Sequence, residues 1–183
     1  MHRLACLLLV ACGGSHASPD ARPIDSAGSA ASCSDYCRTI IAACTGANNQ
    51  YLSMQTCTSS CMSYPLGTTG DQSGNSLACR AYHAMLAQTD PTTHCVHAGP
   101  SGGGACGDPC DGFCSLVVAD CATQYPSAGA CATTCAGFAT TPAYSANVTS
   151  GNSLSCRIYE ATLASTNAAA HCPNTAASSA TCQ

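Results

Sequence analysis

Two side-chain types in this chain can do chemistry in quantity: 18 of its 183 residues are Cys and 6 are His. Thiols either pair with one another or, as thiolates, hold metal ions beside imidazoles. The first half offers material for both outcomes. His83 follows Cys79 by one helical turn, and His94 and His97 come soon after. The second half repeats the Cys but has Glu160 and Asn174 where the first has His83 and His97. Only His171 repeats, in the place of His94. A Cys content of about one tenth in a short chain marks a disulfide scaffold made in an oxidising compartment. The reading is therefore paired thiols, with no metal ligand set and no cofactor. A periplasmic copper- or zinc-binding protein using Cys and His is the alternative. The order Cys79…His83 is not a zinc-finger spacing, and no Cys-x-x-Cys-His haem attachment occurs.

Catalysis has little support. The reading is of no Gly-x-Ser-x-Gly elbow, no His-Glu-x-x-His pair, no phosphate loop and no Gly-x-Gly-x-x-Gly turn after a strand. Glu160 is the single Glu, and Asp120 does not recur, since Ala43 stands in its place. The chain is expected not to be an enzyme. Net charge is −4, with no Lys and five scattered Arg, so no basic patch for a nucleic acid can be built.

From Cys33 onward the chain is two copies of one unit. Cys33, Cys37, Cys44, Cys57, Cys61, Cys79, Cys95 and Cys106 align with Cys110, Cys114, Cys121, Cys131, Cys135, Cys156, Cys172 and Cys182. The offset is 77 residues for the first three, 74 for the next two, 77 for two more and 76 for the last. Copy two thus lacks three residues after Cys121 and has three extra before Cys156, as loops tolerate. Gly74-Asn75-Ser76-Leu77 recurs as Gly151-Asn152-Ser153-Leu154. Arg80, Tyr82 and His94 recur as Arg157, Tyr159 and His171, and Tyr51 and Ser53 as Tyr125 and Ser127. Such repetition defines two modules, 32–107 and 108–183, each too small to fold without staples. Recurring residues read first as fold determinants. The recurring Arg is expected to bond loop carbonyls, Tyr82 and Tyr159 to pack with a polar tip, and His94 and His171 to serve structure.

The fold class expected is all-α and disulfide-rich, with about three short helices per module. Asp108-Pro109 starts one, and Ser53, Ser127, Ser76 and Ser153 cap others. Cys33, Cys37, Ile40 and Cys44 fall on one helical face, flanked by Tyr36 and Ile41, as do Cys110, Phe113, Cys114, Val117, Val118 and Cys121. On the third helices, Cys79, Tyr82, Leu86 and Cys156, Tyr159, Leu163 form the stripe. The Gly-, Ser-, Ala- and Pro-rich tails are expected to be irregular. Matching Cys-x3-Cys pairs on the first two helices clip an antiparallel hairpin as Cys33–Cys61 with Cys37–Cys57, and as Cys110–Cys135 with Cys114–Cys131. Cys44–Cys79, Cys121–Cys156, Cys95–Cys106 and Cys172–Cys182 would complete the set. A rival register pairs Cys37–Cys61 and Cys44–Cys57.

The N-terminus carries an address. Arg3 precedes eight apolar or Cys residues, 4–11, far short of a spanning helix. Residues 1–11 read as a lipoprotein signal peptide. Leu9-Val10-Ala11-Cys12 looks like a bacterial lipobox, which would place a diacylglycerol on Cys12 and leave sixteen Cys, an even number, for bridges. An ordinary secretory signal is the alternative. Residues 12–31, with His16 and Arg22, read as a flexible tether.

The lipobox, Asp-Pro-Cys-x3-Cys, Tyr-x-Ser-x3-Cys-x3-Cys and Gly-Asn-Ser-Leu-x-Cys-Arg-x-Tyr together resemble Cys-rich lipoproteins of the myxobacterial type with duplicated eight-Cys repeats. The resemblance covers residues 1–12 and 33–182. It implies a location and a repeat unit, and no activity. The expectation is a non-catalytic surface or interaction protein. It would be lipid-anchored in a bacterial cell envelope at the outer membrane, with a protein or polysaccharide partner.

Overall fold

The computed structural model describes residues 31–183. The signal segment, Cys12 and all but the last residue of the tether lie outside the described residues. Among the described residues the chain is helical, with no strand, and no helix is long and apolar enough to cross a membrane. The first half comprises α1 (Cys33–Ala43), α2 (Met54–Cys61), α3 (Leu77–Leu86) and α4 (Pro91–Ala98). The second repeats them as α5 (Pro109–Asp120), α6 (Ala128–Cys135), α7 (Leu154–Ala164) and α8 (Ala168–Thr175).

Local chemistry starts these helices. Side chains of Ser53, Ser76, Ser127 and Ser153 each accept the backbone N–H three residues on, satisfying a donor that the first turn leaves unpaired. Asp108 accepts from Cys110 N, and Asp111 returns the favour to Asp108 N. Each half has four helices rather than about three, because the tails are not irregular throughout. Asp90 accepts from Thr93 N with Pro91 at the first helical position, and Asn167 accepts from Ala170 N. These are the same start signals that mark α5, lying in a stretch otherwise poor in helix formers.

The extra helices re-route half of the expected bridges. Cys33–Cys61, Cys37–Cys57, Cys110–Cys135 and Cys114–Cys131 are present, clipping α1 to α2 and α5 to α6. The expected Cys44–Cys79 and Cys95–Cys106 are replaced by Cys44–Cys95 and Cys79–Cys106. Likewise Cys121–Cys156 and Cys172–Cys182 give way to Cys121–Cys172 and Cys156–Cys182. The reason is the short connection 87–90, which turns α4 back along α3 as a helical hairpin and brings Cys95 to the end of α1. Cys79 then faces the returning tail, where Gly74 N donates to Ala105 O at 2.9 Å and sets Cys106 beside it. The loops so closed run from 17 to 51 residues. Each such closure stabilises by about 2–4 kcal/mol in the chain-entropy account.

The core contains Tyr36, Ile40, Leu77, Phe113, Leu116, Val117, Leu154 and Ile158, filled in by the bridged sulfurs. Its largest fully buried side chains are Arg80 and Arg157. Arg80 donates to Gly99 O and Ser76 O and lies 4.0 Å over the Tyr64 ring. Arg157 donates to Ala176 O and Ser153 O and lies 4.1 Å over Phe138. The recurring Arg thus does bond loop carbonyls, tying the tail after α4 or α8 to the start of α3 or α7. With the guanidinium inside, the buried face of α3 is rotated from the expected stripe. Arg80, His83, Ala84 and Ala87 are buried, whereas Tyr82 and Leu86 are half-buried.

The halves dock through the two segments in which their lengths differ. The three residues peculiar to copy one form a short 3-10 turn, Gly46–Asn48. The three extra residues of copy two fall within 140–150. Ala146 N donates to Asn49 O at 2.7 Å, Asn147 Nδ2 to Gly46 O at 2.9 Å, and the buried Tyr144 hydroxyl to Gln50 O at 3.1 Å. At a second point Asn75 Nδ2 donates to Asp111 O and Ser115 Oγ. Gly112 sits nearby because a Cβ there would lie 2.1 Å from Pro100 O.

Candidate functional site

Three of the imidazoles singled out in the sequence meet in the first half. His83 lies in the last turn of α3, and His94 and His97 occupy one face of α4, three residues apart. Because the two helices form a hairpin, one nitrogen from each ring lies within 4.8 Å of the others. His83 Nδ1 is 2.9 Å from His94 Nδ1, and His83 Nε2 is 3.2 Å from the Gln72 carbonyl oxygen. His97 packs edge-on to His83, with ring centres 4.9 Å apart, and its Nδ1 is buried with no hydrogen-bond partner. Gly103, at φ +55°, lets the tail pass against this ring, where a Cβ would come 2.9 Å from His97 Cδ2.

Burial pushes the His83 imidazole below the ordinary histidine range; the Gln72 carbonyl opposes this and His94 adds to it. Burial, then His83 and His94, lower His97 in the same direction. Burial therefore favours the neutral rings of His83 and His97, each with a lone pair to offer.

The second half places different groups at the same points. The Glu160 carboxylate lies 2.8 Å from His171 Nδ1 and accepts from Asn174 Nδ2 at 2.9 Å. Asn174 Oδ1 in turn accepts from Thr181 Oγ1 at 3.1 Å. Sulfur ligands are closed off as well: all sixteen described Cys are bridged, including Cys79 and Cys106 beside His83. No thiolate set for copper or zinc is therefore available among the described residues in this oxidised form.

Two other features bear on chemistry. Contrary to the sequence reading, a Gly-x-Ser-x-Gly string does occur, as Gly99-Pro100-Ser101-Gly102-Gly103, but it follows the helix α4 rather than a strand, and its buried Ser101 hydroxyl donates to Val96 O at 3.4 Å. A cleft of about 330 Å³ between the halves is lined by Val96, Pro109, Tyr144, Leu154 and Ile158 among others, and Tyr144 is its one titratable group. It has no acid–base pair to work with. The sequence groups His83, His94 and His97 but not the way they converge, because a tail expected to be irregular sets no face for His94 and His97. The Asp90-Pro91 start signal was the clue that α4 places the two imidazoles on one face.

The model of the BfoA family C-terminal domain matches residues 15–109, which include α1 to α4. The chain belongs to that family. Among curated proteins, the chain is similar to the Aurasperone B biosynthesis cluster protein A of Aspergillus niger, at 42% identity over 73 residues. A second relative is the Bifonsecin B biosynthesis cluster protein A of Aspergillus brasiliensis, at 41% over 73 residues. Each match covers 39% of this chain and 24% or 25% of the relative, so the chain spans about a quarter of their length. No solved structure matches.

Proposed function

We propose that the chain is a non-catalytic interaction protein of an oxidising compartment, held at a membrane by a lipid on Cys12, with its binding face on the first half. The observation that carries this reading is an asymmetry of exposed apolar side chains. Among the described residues the exposed large ones are Leu52, Met54, Met62, Leu66 and Met85, all in copy one. Their counterparts in copy two are Pro126, Ala128, Ala136, Thr140 and Thr162. Four of the five flank the two ends of α2, and Met62 is 73% exposed. Adaptable Met and Leu side chains left in water suit a protein surface better than a polysaccharide. The paired thiols support the compartment, since bridges of this density persist only outside a reducing cytosol.

A photo-crosslinking residue placed at Met62 and, in a matched chain, at Ala136 tests the face in producing cells. A discrete adduct from Met62 and none from Ala136 is expected; equal labelling, or none, overturns it. Cys12→Ser tests the anchor. Loss of the chain from the membrane fraction is expected, and retention there overturns the lipid at Cys12.

A further inference from the structure

We propose that His83, His94 and His97 bind one divalent transition-metal ion of the zinc–copper class through three imidazoles and no thiolate. The site is independent of the interaction face and goes beyond it. A four-coordinate zinc ion with Zn–N bonds of about 2.0–2.1 Å needs its nitrogens about 3.3 Å apart. The three nitrogens already lie within 4.8 Å of one another, near that spacing.

Tautomers follow from the neighbours. The Gln72 carbonyl can only accept, so His83 Nε2 carries the proton and Nδ1 turns a lone pair toward His94. A ligating imidazole commonly has this arrangement, its second nitrogen donating to a backbone carbonyl that fixes ring and tautomer. His97 Nδ1 supplies a second sign. A buried nitrogen without a partner is costly, and an ion would satisfy it. Imidazoles suit zinc and copper, whereas magnesium and calcium want oxygen ligands, and this group of three contains none. Three protein ligands leave a fourth position for water, and His94 and His97 are only half-buried.

The second half is a built-in control. Glu160, His171 and Asn174 stand on the same frame, but there His171 Nδ1 and Asn174 Nδ2 are both engaged by the Glu160 carboxylate and Asn174 Oδ1 accepts from Thr181.

The test uses the full, oxidised chain, with Zn(II) measured by competition against a chromophoric chelator and Co(II) by its visible spectrum. One tight equivalent per chain is expected, with d–d bands of imidazole-bound cobalt and no thiolate charge-transfer band. His97→Ala should weaken zinc by about 100-fold or more, since even outer partners of a ligand are worth 10–100-fold. His171→Ala should leave it unchanged. Glu160→His together with Asn174→His should raise uptake to two equivalents. Intact mass confirms eight bridges in every variant. No tight equivalent, a thiolate band, or unchanged affinity in His97→Ala would overturn the site. A grafted chain that takes up no second equivalent would overturn the sufficiency of the three imidazoles.

Discussion

In the first half, the hydroxyls of Tyr36, Tyr51 and Tyr64 form a buried chain, with Tyr36 to Tyr51 at 2.9 Å and Tyr51 to Tyr64 at 3.1 Å. In the second, Phe113, Tyr125 and Phe138 occupy the same points, and Phe113 packs edge-on to both neighbours. The carbonyl that Tyr36 satisfies at Ala98 recurs at Thr175, where Tyr125 reaches it instead at 2.7 Å. One frame therefore tolerates a polar or an apolar interior, provided the shape and the tail carbonyl are served. The same contrast separates the His83 cluster from the Glu160 trio. Bridges, helix caps and the buried Arg are common to both halves and hold the fold, which leaves the interior positions between them free to diverge.

The largest effect that could sharpen this comparison is at the shared Arg. Arg157 donates through NH2 to Asn152 Oδ1 and Ala177 O, whereas Arg80 NH2 has no partner. Arg157→Met should cost more than Arg80→Met by about 3 kcal/mol, since it loses two further hydrogen bonds to a charged group, which contribute about 1.5–3 kcal/mol each. Denaturant midpoints at constant m-value measure both. Equal costs would break the distinction.

Glu160→Gln comes next. It keeps the volume but weakens the bonds to His171 and Asn174, and should cost about 1–2 kcal/mol. Thermal unfolding of the bridged chain reads the loss.

The tyrosine chain predicts an alkaline limit. Burial is the largest cause raising Tyr36, Tyr51 and Tyr64, so the folded chain keeps protons that the unfolded chain releases above about pH 10. Their contribution is fully present below pH 10 and is lost as pH rises past it. Tyr36→Phe with Tyr64→Phe, which makes copy one resemble copy two, should flatten stability against pH above 10. An unchanged slope would show that the polar chain contributes nothing to that limit.

The smallest effect belongs to Arg38 and Asp35, an exposed pair 3.5 Å apart that copy two replaces with Ser115 and Gly112. Arg38→Ala should leave the unfolding midpoint where it is, since exposed pairs contribute little. A resolved shift would show that this surface is more ordered than its exposure implies.

Much of this was legible in the residues. Four matched Cys-x3-Cys pairs defined the α1–α2 and α5–α6 hairpins, because a spacing of four puts two sulfurs on one helical face at the same rise. Ser76, Ser153 and Asp108 marked helix starts, because a cap is a contact between residues two or three apart. The later bridges were not legible. Cys79 and Cys95 compete for Cys44, and only the path of α4 decides between them. The three His were visible as candidates, but their meeting was hidden by the same ambiguity, since 11 residues and a turn separate His83 from His94.

What the sequence by itself determined is local or repetitive: two copies of one all-helical unit, where their helices begin, which Cys can clip neighbouring helices, and where the copies differ in length. Helix periodicity and capping act over a few residues, and duplication is visible by alignment alone. The tertiary structure decided which sulfurs close the tails, which imidazoles meet, and that the two length differences pair with each other. Those outcomes depend on how α4 and α8 fold back over buried Arg and on which backbone carbonyls remain to be satisfied once the helices have packed.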